Sequence, residues 1–266
     1  MGNVAIGCRN HFKSGVITAN SAETGLGPTN LASDQCAAAS GWQTPNGKVQ
    51  YSSDGQALLK CTFARPRLLL RAVALVNTNL TPAARITVQA WRDLALVWQA
   101  VVAGPQPGYR QIIVILDEDV TCDLVQILFD DPANPDSHIN IGGAFAGPLW
   151  FPRNGIAWQT AHGQRPSRRD TRVSGGPRYI SLKYVERFWS VVFDAVPDDE
   201  AWDELEEMKR IAALGSNVLF VPDVASIDLY REAVFGVADG IDTPVGFVPG
   251  AVPLLRRWTG EIVERL

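Results

Sequence analysis

Apolar and polar positions alternate most legibly between Leu68 and Trp91, in LLLRAVALVNTNLTPAARITVQAW. In the first half both parities are apolar: Leu68, Leu70, Ala72, Ala74 and Val76 on one side, Leu69, Val73 and Leu75 on the other, interrupted by Arg71. A strand written this way is covered on both faces. In the second half Ile86, Val88 and Ala90 alternate with Arg85, Thr87 and Gln89, the pattern of a strand with one solvated face. NTNLTP between them predicts a turn, because Asn77, Asn79 and Thr81 bond readily to their own backbone and Pro82 cannot donate to a ladder. The stretch therefore predicts two adjacent strands of a β-sandwich.

Further strands are predicted in Gly15–Thr18, LALVWQAVVAG, YRQIIVIL and DLVQILFD, with PQPG and DED as turns; this spacing fits a sandwich or jelly roll. Ile112 to Leu116 is continuously apolar and predicts a second covered strand. Trp42 has two readings, a core aromatic or a platform for a sugar ring. Beyond Gly142, GGAFAGPLWFPRNGIAW breaks the periodicity while keeping Phe145, Trp150, Phe151 and Trp158, so it predicts a joint whose aromatics pack two domains together. GQRPSRRDTRVSGGP, residues 163–177, predicts an extended or flexible basic arm. RYISLKYVERFWSVVFDAV then reads as strand, and PDDEAWDELEEMKRIAALG as the one clear helix. In that helix Asp198 caps the start, Gly215 closes the end, and Trp202, Leu205, Met208 or Lys209, and Ala212 form the buried stripe. NVLFVP, the segment around LYREAVFGV, and RRWTGEIVERL return to strand, with Trp258, Gly260 and Ile262 opposing Thr259, Glu261 and Val263.

The V-N-x-N-L-T-P-A-A-R-I-x-V run that closes the first covered strand, with ITANSAETGLGPTNL and GWQTPNG upstream and INIGGAFAGP downstream, resembles the core of discoidin-like, galactose-binding-like sandwiches in structural proteins of tailed bacteriophages. The order of elements after residue 178 is similar to the β-sandwich or split barrel with one packed helix of phage tail-tube and distal-tail proteins. The fold class expected is mainly β with one helix in the second half. The domains expected are a discoidin-like jelly-roll sandwich over 1–147, an aromatic joint and basic arm over 148–177, and an α+β tail-tube-like assembly domain over 178–266. The resemblance implies a structural component of a tail tip or baseplate, a minor tail protein of the virion assembled in the host bacterial cytoplasm. Its partners would be copies of itself in a ring and other tail proteins, with no catalytic residue. The alternative is a carbohydrate-binding module touching host-surface glycans through exposed aromatics, Trp91 or Trp98. A hydrolase with an unrecognised pair of acids is a third reading.

Composition narrows these classes. With 266 residues, two domains are the default. An apolar content of 46% with 8 Trp and 10 Phe argues against a disordered chain, and no run approaches the length of a membrane helix. MGNVAIGCRNHFK lacks the pattern of a secretory signal, so no export is expected. Cys8, Cys36, Cys61 and Cys122 are irregularly spaced, without CxxC, which favours buried free thiols over bridges or zinc. A net charge of -4 does not point to nucleic acid. GxSxG, HExxH, Walker and GxGxxG motifs are missing, and His11, His138 and His162 stand apart. Asp130, Asp131, Asn134 and Asp136 in DDPANPDSH form an oxygen-rich loop of the kind that holds Ca²⁺, although Asp-Pro and Asn-Pro are also ordinary turn dipeptides.

Charge is distributed unevenly in the second half. Arg165, Arg168, Arg169 and Arg172 make the arm basic, while Asp199, Glu200, Asp203, Glu204, Glu206 and Glu207 make the helix acidic. The arm either folds back on its own helix, or stays solvated, or reaches the acidic face of the next copy in a ring.

Overall fold

The structure, a computed structural model, describes residues 4–63, 68–157, 159–172, 178–240, 246–247 and 255–265. The chain divides into two compact units, one of residues 5–151 with 221–233, the other of 152–220 with 234–266 and the first four residues.

The first unit is a two-sheet sandwich. Besides β1 (Ala5–Gly7), which is in neither sheet, its strands are β2 (Val16–Ala19), β3 (Trp42–Gln43), β4 (Leu58–Thr62), β5 (Leu68–Thr78), β6 (Arg85–Arg92), β7 (Ala95–Ala103), β8 (Gln111–Cys122), β9 (Leu124–Asp130) and β10 (Asn140–Gly147). One sheet runs β3-β10-β5-β8, the other β2-β4-β9-β6-β7, and every named pairing is antiparallel. The core between them collects Leu70, Val73, Leu75, Ile112 and Val114 from the first sheet and Leu59, Ile86, Val88, Val125, Ile127 and Phe129 from the second. Each such side chain contributes roughly 1.5–3 kcal/mol of burial. Trp42 belongs to this core: it is fully buried, its ring lies 5.7 Å from that of Phe129, and its indole N–H donates to the Ser21 carbonyl at 3.0 Å.

β5 is apolar at both parities because its second face is covered too. Ala72, Ala74 and Val76 sit opposite Gly147, Phe145 and Gly143 of β10. There the chain comes very close: a Cβ on Gly147 would stand 2.0 Å from the Arg9 carbonyl oxygen, and one on Gly143 2.6 Å from Cys36 Sγ. The glycines of GGAFAG thus let the N-terminal segment and the Cys36 loop close over the sheet.

One expectation is corrected here. β5 and β6 are consecutive but not paired; β5 lies between β10 and β8, and β6 between β9 and β7. The NTNLTP turn crosses from one sheet to the other instead of closing a hairpin. It can do so because Asn77 takes a left-handed φ of 53° and the Asp131 carboxylate accepts the Thr81 amide at 2.9 Å and the Thr81 hydroxyl at 2.5 Å. A local turn would be held by its own backbone; this one is held by a distant loop.

The second unit is an antiparallel sheet in the order β13-β14-β16-β12-β11. Its strands are β11 (Ala161–Arg172), β12 (Arg178–Pro197), β13 (Asn217–Val221), β14 (Val234–Asp239), β15 (Gly246–Phe247, on β16) and β16 (Leu255–Glu264). Residues 163–172, read as an extended or flexible arm, are therefore a paired strand carrying Arg165, Arg168, Arg169 and Arg172, laddered to β12 from Ala161↔Ser190 to Arg172↔Arg178 with a one-residue register shift between Ser167 and Arg168. The polar residues of β11 gave no strand period because its ladder partner, not its composition, sets its conformation.

The helical segment follows as Asp198–Glu200, a π turn over Ala201–Leu205, and Glu206–Ala213. Its buried face is Ala201, Leu205, Met208 and Ile211, whereas Trp202 is 57% exposed with the Arg256 guanidinium 4.6 Å from its ring centroid. The expected stripe was displaced at Trp202 and Ala212 because the π turn widens the helical period within this segment. Asp198 does not cap; it accepts from Arg256 Nε at 2.5 Å. Gly215 closes the helix at a φ of 68°, as its position predicts.

Candidate ligand cleft

Antiparallel pairing brings three distant segments to one end of the β3-β10-β5-β8 sheet. β5 ends where β8 and β10 begin, with Val76 opposite Gln111 and Thr78 opposite Ile141. The residues at and just beyond these pairs line an open cleft of about 610 Å³, with Asn77, Thr78, Asn79, Tyr109, Arg110, Asp136, His138 and Asn140 as its polar members.

The walls are fixed by hydrogen bonds. Asn79 is the hub: its amide group donates to Asp136 Oδ2 at 3.0 Å and the His138 carbonyl at 2.9 Å, and its Oδ1 accepts the Asn140 amide at 2.7 Å. Asn77 Nδ2 donates to the Cys36 carbonyl at 2.7 Å, and the Thr78 amide to the Arg110 carbonyl at 3.0 Å. Tyr109 packs edge-on against Tyr230 at 4.9 Å, and Gln111 Nε2 donates to the carbonyls of Tyr230 at 2.6 Å and Ala233 at 2.9 Å, which ties residues 221–233 to the sandwich. The Tyr230 hydroxyl donates to Asp228 at 2.8 Å, and this bond raises its pKa above the usual phenol value.

What remains for a ligand is polar. The Arg110 side chain is exposed and makes no ion pair among the described residues. Nδ1 of His138 and Oδ1 of Asn140 are buried and take no hydrogen-bond partner. A buried polar atom without a partner costs about 1–3 kcal/mol, but both are closed off from the open cleft, so a hydroxyl or amide reaches them only if the wall shifts. The cleft therefore offers a guanidinium donor, carboxylate and carbonyl acceptors and a tyrosine ring, a set suited to holding a polar, hydroxyl-bearing molecule.

No protein-family model matches this sequence, and no curated protein is similar to it at a significant level. Among solved structures, the lectin domain of lectinolysin complexed with Lewis B antigen aligns at 11% identity and a TM-score of 0.42, over 52% of this chain and 95% of that one. A fucose binding module of Streptococcus pneumoniae aligns at 8% and 0.41 (53% and 98% covered), and the family 32 CBM from C. perfringens NanJ in complex with galactose at 11% and 0.40 (53% and 98%).

Of the residues singled out from sequence, Asp136 and His138 line the cleft and the others lie elsewhere. Trp98 is half-buried and packs against the sandwich core. Trp91 is half-buried at the end of β6, its indole N–H donating to Gln89 Oε1 at 3.3 Å. Neither lines the cleft. The four oxygen-bearing residues of the 130–136 loop are engaged in holding the loops: Asp130 accepts the Ser52 amide at 2.8 Å and hydroxyl at 2.5 Å, Asp131 is fully buried on Thr81, Asn134 Nδ2 donates to Asp131 at 3.0 Å, and Asp136 serves Asn79. Among the described residues no group of three metal-ligating side chains converges. The four cysteines are unbridged, with Cys36, Cys61 and Cys122 buried.

In the second unit Asp199 and Glu200 are met by Arg153, at 2.6 Å for Glu200, and Glu206 and Glu207 by Lys209 and Arg210 at 2.8 Å each. Arg153 holds the Asp199 carboxyl below its ordinary pKa through their hydrogen bond. Arg165 pairs instead with Glu261 at 2.7 Å and lies over the Phe188 ring. The side chains of Arg168, Arg169 and Arg172, and Trp158 of the joint, are outside the described part of the structure. Phe145, Trp150 and Phe151 belong to the first unit, where Trp150 exchanges backbone bonds with Ile6 and Phe151 stacks under Arg71 at 5.2 Å. The cleft could not be read from sequence, since its members become neighbours only through strand pairing.

Proposed function

We propose that the sandwich is a carbohydrate-binding module that holds a glycan in the cleft of Asn77, Tyr109, Arg110 and His138, without catalysis. The observation that supports it is a polar cleft of about 610 Å³ on hydrogen-bonded loops, with an exposed arginine that makes no ion pair among the described residues. Sugar hydroxyls match these groups, and a tyrosine ring supplies an apolar edge. A monosaccharide of about twelve heavy atoms at about −0.3 kcal/mol each gives about −4 kcal/mol, a Kd near 1 mM, so tight binding needs several copies or several sugar units. The test is a glycan array followed by titration calorimetry of Arg110→Ala and Trp91→Ala. Loss with the first and retention with the second supports the cleft; the reverse supports the outer sheet face at Trp91.

A second reading, a structural part of a phage tail tip or baseplate that joins other tail proteins in the virion, draws on the sequence resemblance and on the second unit, which presents exposed Leu182 and Tyr184 on a paired strand. Peptides of this chain found by mass spectrometry in purified tailed particles would support it, and their absence there would remove it.

A further inference from the structure

The ladder between β12 and β16 ends at Phe188↔Val263, while β11 and β12 remain paired out to Arg172↔Arg178. Residues 164–172 and 178–187 thus form a two-stranded ribbon, roughly 30 Å long at about 3.3 Å per residue, with no third strand among the described residues. A lone ribbon of this kind is marginally stable in water. This one also exposes Leu182 at 59% on one face and Tyr184 at 46% on the other, the one-residue register shift opposite Ser167 and Arg168 separating them. Its sequence carries Arg165, Arg168, Arg169, Arg172, Arg178, Lys183 and Arg187 against Asp170 and Glu186.

The same unit carries a surface of matching length and opposite charge. The helical segment from Asp198 to Ala213 spans about 24 Å at 1.5 Å per residue. It exposes Trp202 beside Asp203 and Glu204, which make no ion pair among the described residues, whereas its other acids are already met by Arg153, Lys209, Arg210 and Arg256. The described cations of the ribbon are committed to β16, Arg165 to Glu261 and Arg187 to Glu264, and not to this helix.

We propose that the ribbon of one copy lies along the helix of a second copy, Leu182 against Trp202, with the positive ribbon facing Asp203 and Glu204. An aromatic centre with a complementary charged rim is the anatomy of a specific interface. Two different elements meet, so the contact closes either as a reciprocal pair of copies or head-to-tail as a ring or filament. This deepens the assembly reading by naming its faces and is independent of the cleft.

Sedimentation velocity of the full chain between low and high salt tests it. The wild type should associate at about 50 mM salt and dissociate at about 0.5 M. Arg168→Glu with Arg169→Glu, and separately Leu182→Glu, should weaken association about tenfold or more with an unchanged circular dichroism melt. Adding Asp203→Lys and Glu204→Lys to the arginine double variant should restore it. A chain that stays monomeric at every salt overturns the proposal, as does capture of the ribbon by a different protein while the chain is monomeric. Association indifferent to all these changes overturns the named faces and leaves assembly through another surface standing.

Discussion

Asp131 is the point where the loops of the cleft are anchored to the sandwich, and removing it gives a sharp test. The residue is fully buried, and its carboxylate accepts the Thr81 amide at 2.9 Å, the Thr81 hydroxyl at 2.5 Å and Asn134 Nδ2 at 3.0 Å. Bonds to a charged group contribute about 1.5–3 kcal/mol each, but they share one acceptor and do not add. Asp131→Ala would also strand the Thr81 donors, at about 1–3 kcal/mol apiece. The net loss expected is about 3–5 kcal/mol. Asp131→Asn keeps one carbonyl oxygen for the amide and should lose only about 1–2 kcal/mol. Because this turn carries the chain from β5 in one sheet to β6 in the other, the loss should appear in the sandwich and in the exchange rate of the Thr81 and Asn79 amides. Urea unfolding followed by tryptophan fluorescence measures it, and a Thr81→Val cycle isolates the coupling. An Asp131→Ala variant within about 0.5 kcal/mol of wild type would refute the anchoring role.

Other consequences follow from burial and close approach. Burial pushes the Cys61 and Cys122 thiols up to about 12, so their contribution is full below the ordinary thiol pKa and lost as pH rises toward 12. At about pH 10.5 each should account for roughly 2 kcal/mol of lost stability, a pH dependence that Cys61→Ala and Cys122→Ala remove. Burial holds the His11 pKa below its usual value, its Nε2 lying 2.9 Å from the Leu69 carbonyl oxygen. The sandwich should therefore lose stability as pH falls below about 6.5, and His11→Gln should flatten that slope in thermal melts. Gly236→Ala would place a Cβ 1.8 Å from the Val263 carbonyl oxygen across the β14–β16 ladder, so the second unit should lose more than about 2 kcal/mol in chemical denaturation while the sandwich melts as before.

The period-2 pattern carried the sandwich strands: Ile86, Val88 and Ala90 are all buried as read, and β5 is covered on both faces because GGAFAG admits a second layer. Sheet membership was not legible, because the NTNLTP turn is held by Asp131, fifty residues away in sequence. The ribbon was hidden for the converse reason, since Arg, Gly and Ser carry no strand signal and only pairing with β12 makes them one. The helix was visible, but its π turn moved Trp202 to the surface. The cleft was the least legible part: Asn79, Arg110 and His138 are ordinary loop residues until β5, β8 and β10 align their ends.

The central claim is that the end of the sandwich beneath Arg110 receives a sugar. Heteronuclear NMR of the full chain titrated with the best array ligand tests it most directly. The account predicts saturable shifts confined to residues 77–80, 108–110 and 136–140, abolished in Arg110→Ala. Shifts centred on Trp91 and Gln89, or no saturable shift with any glycan, would contradict it.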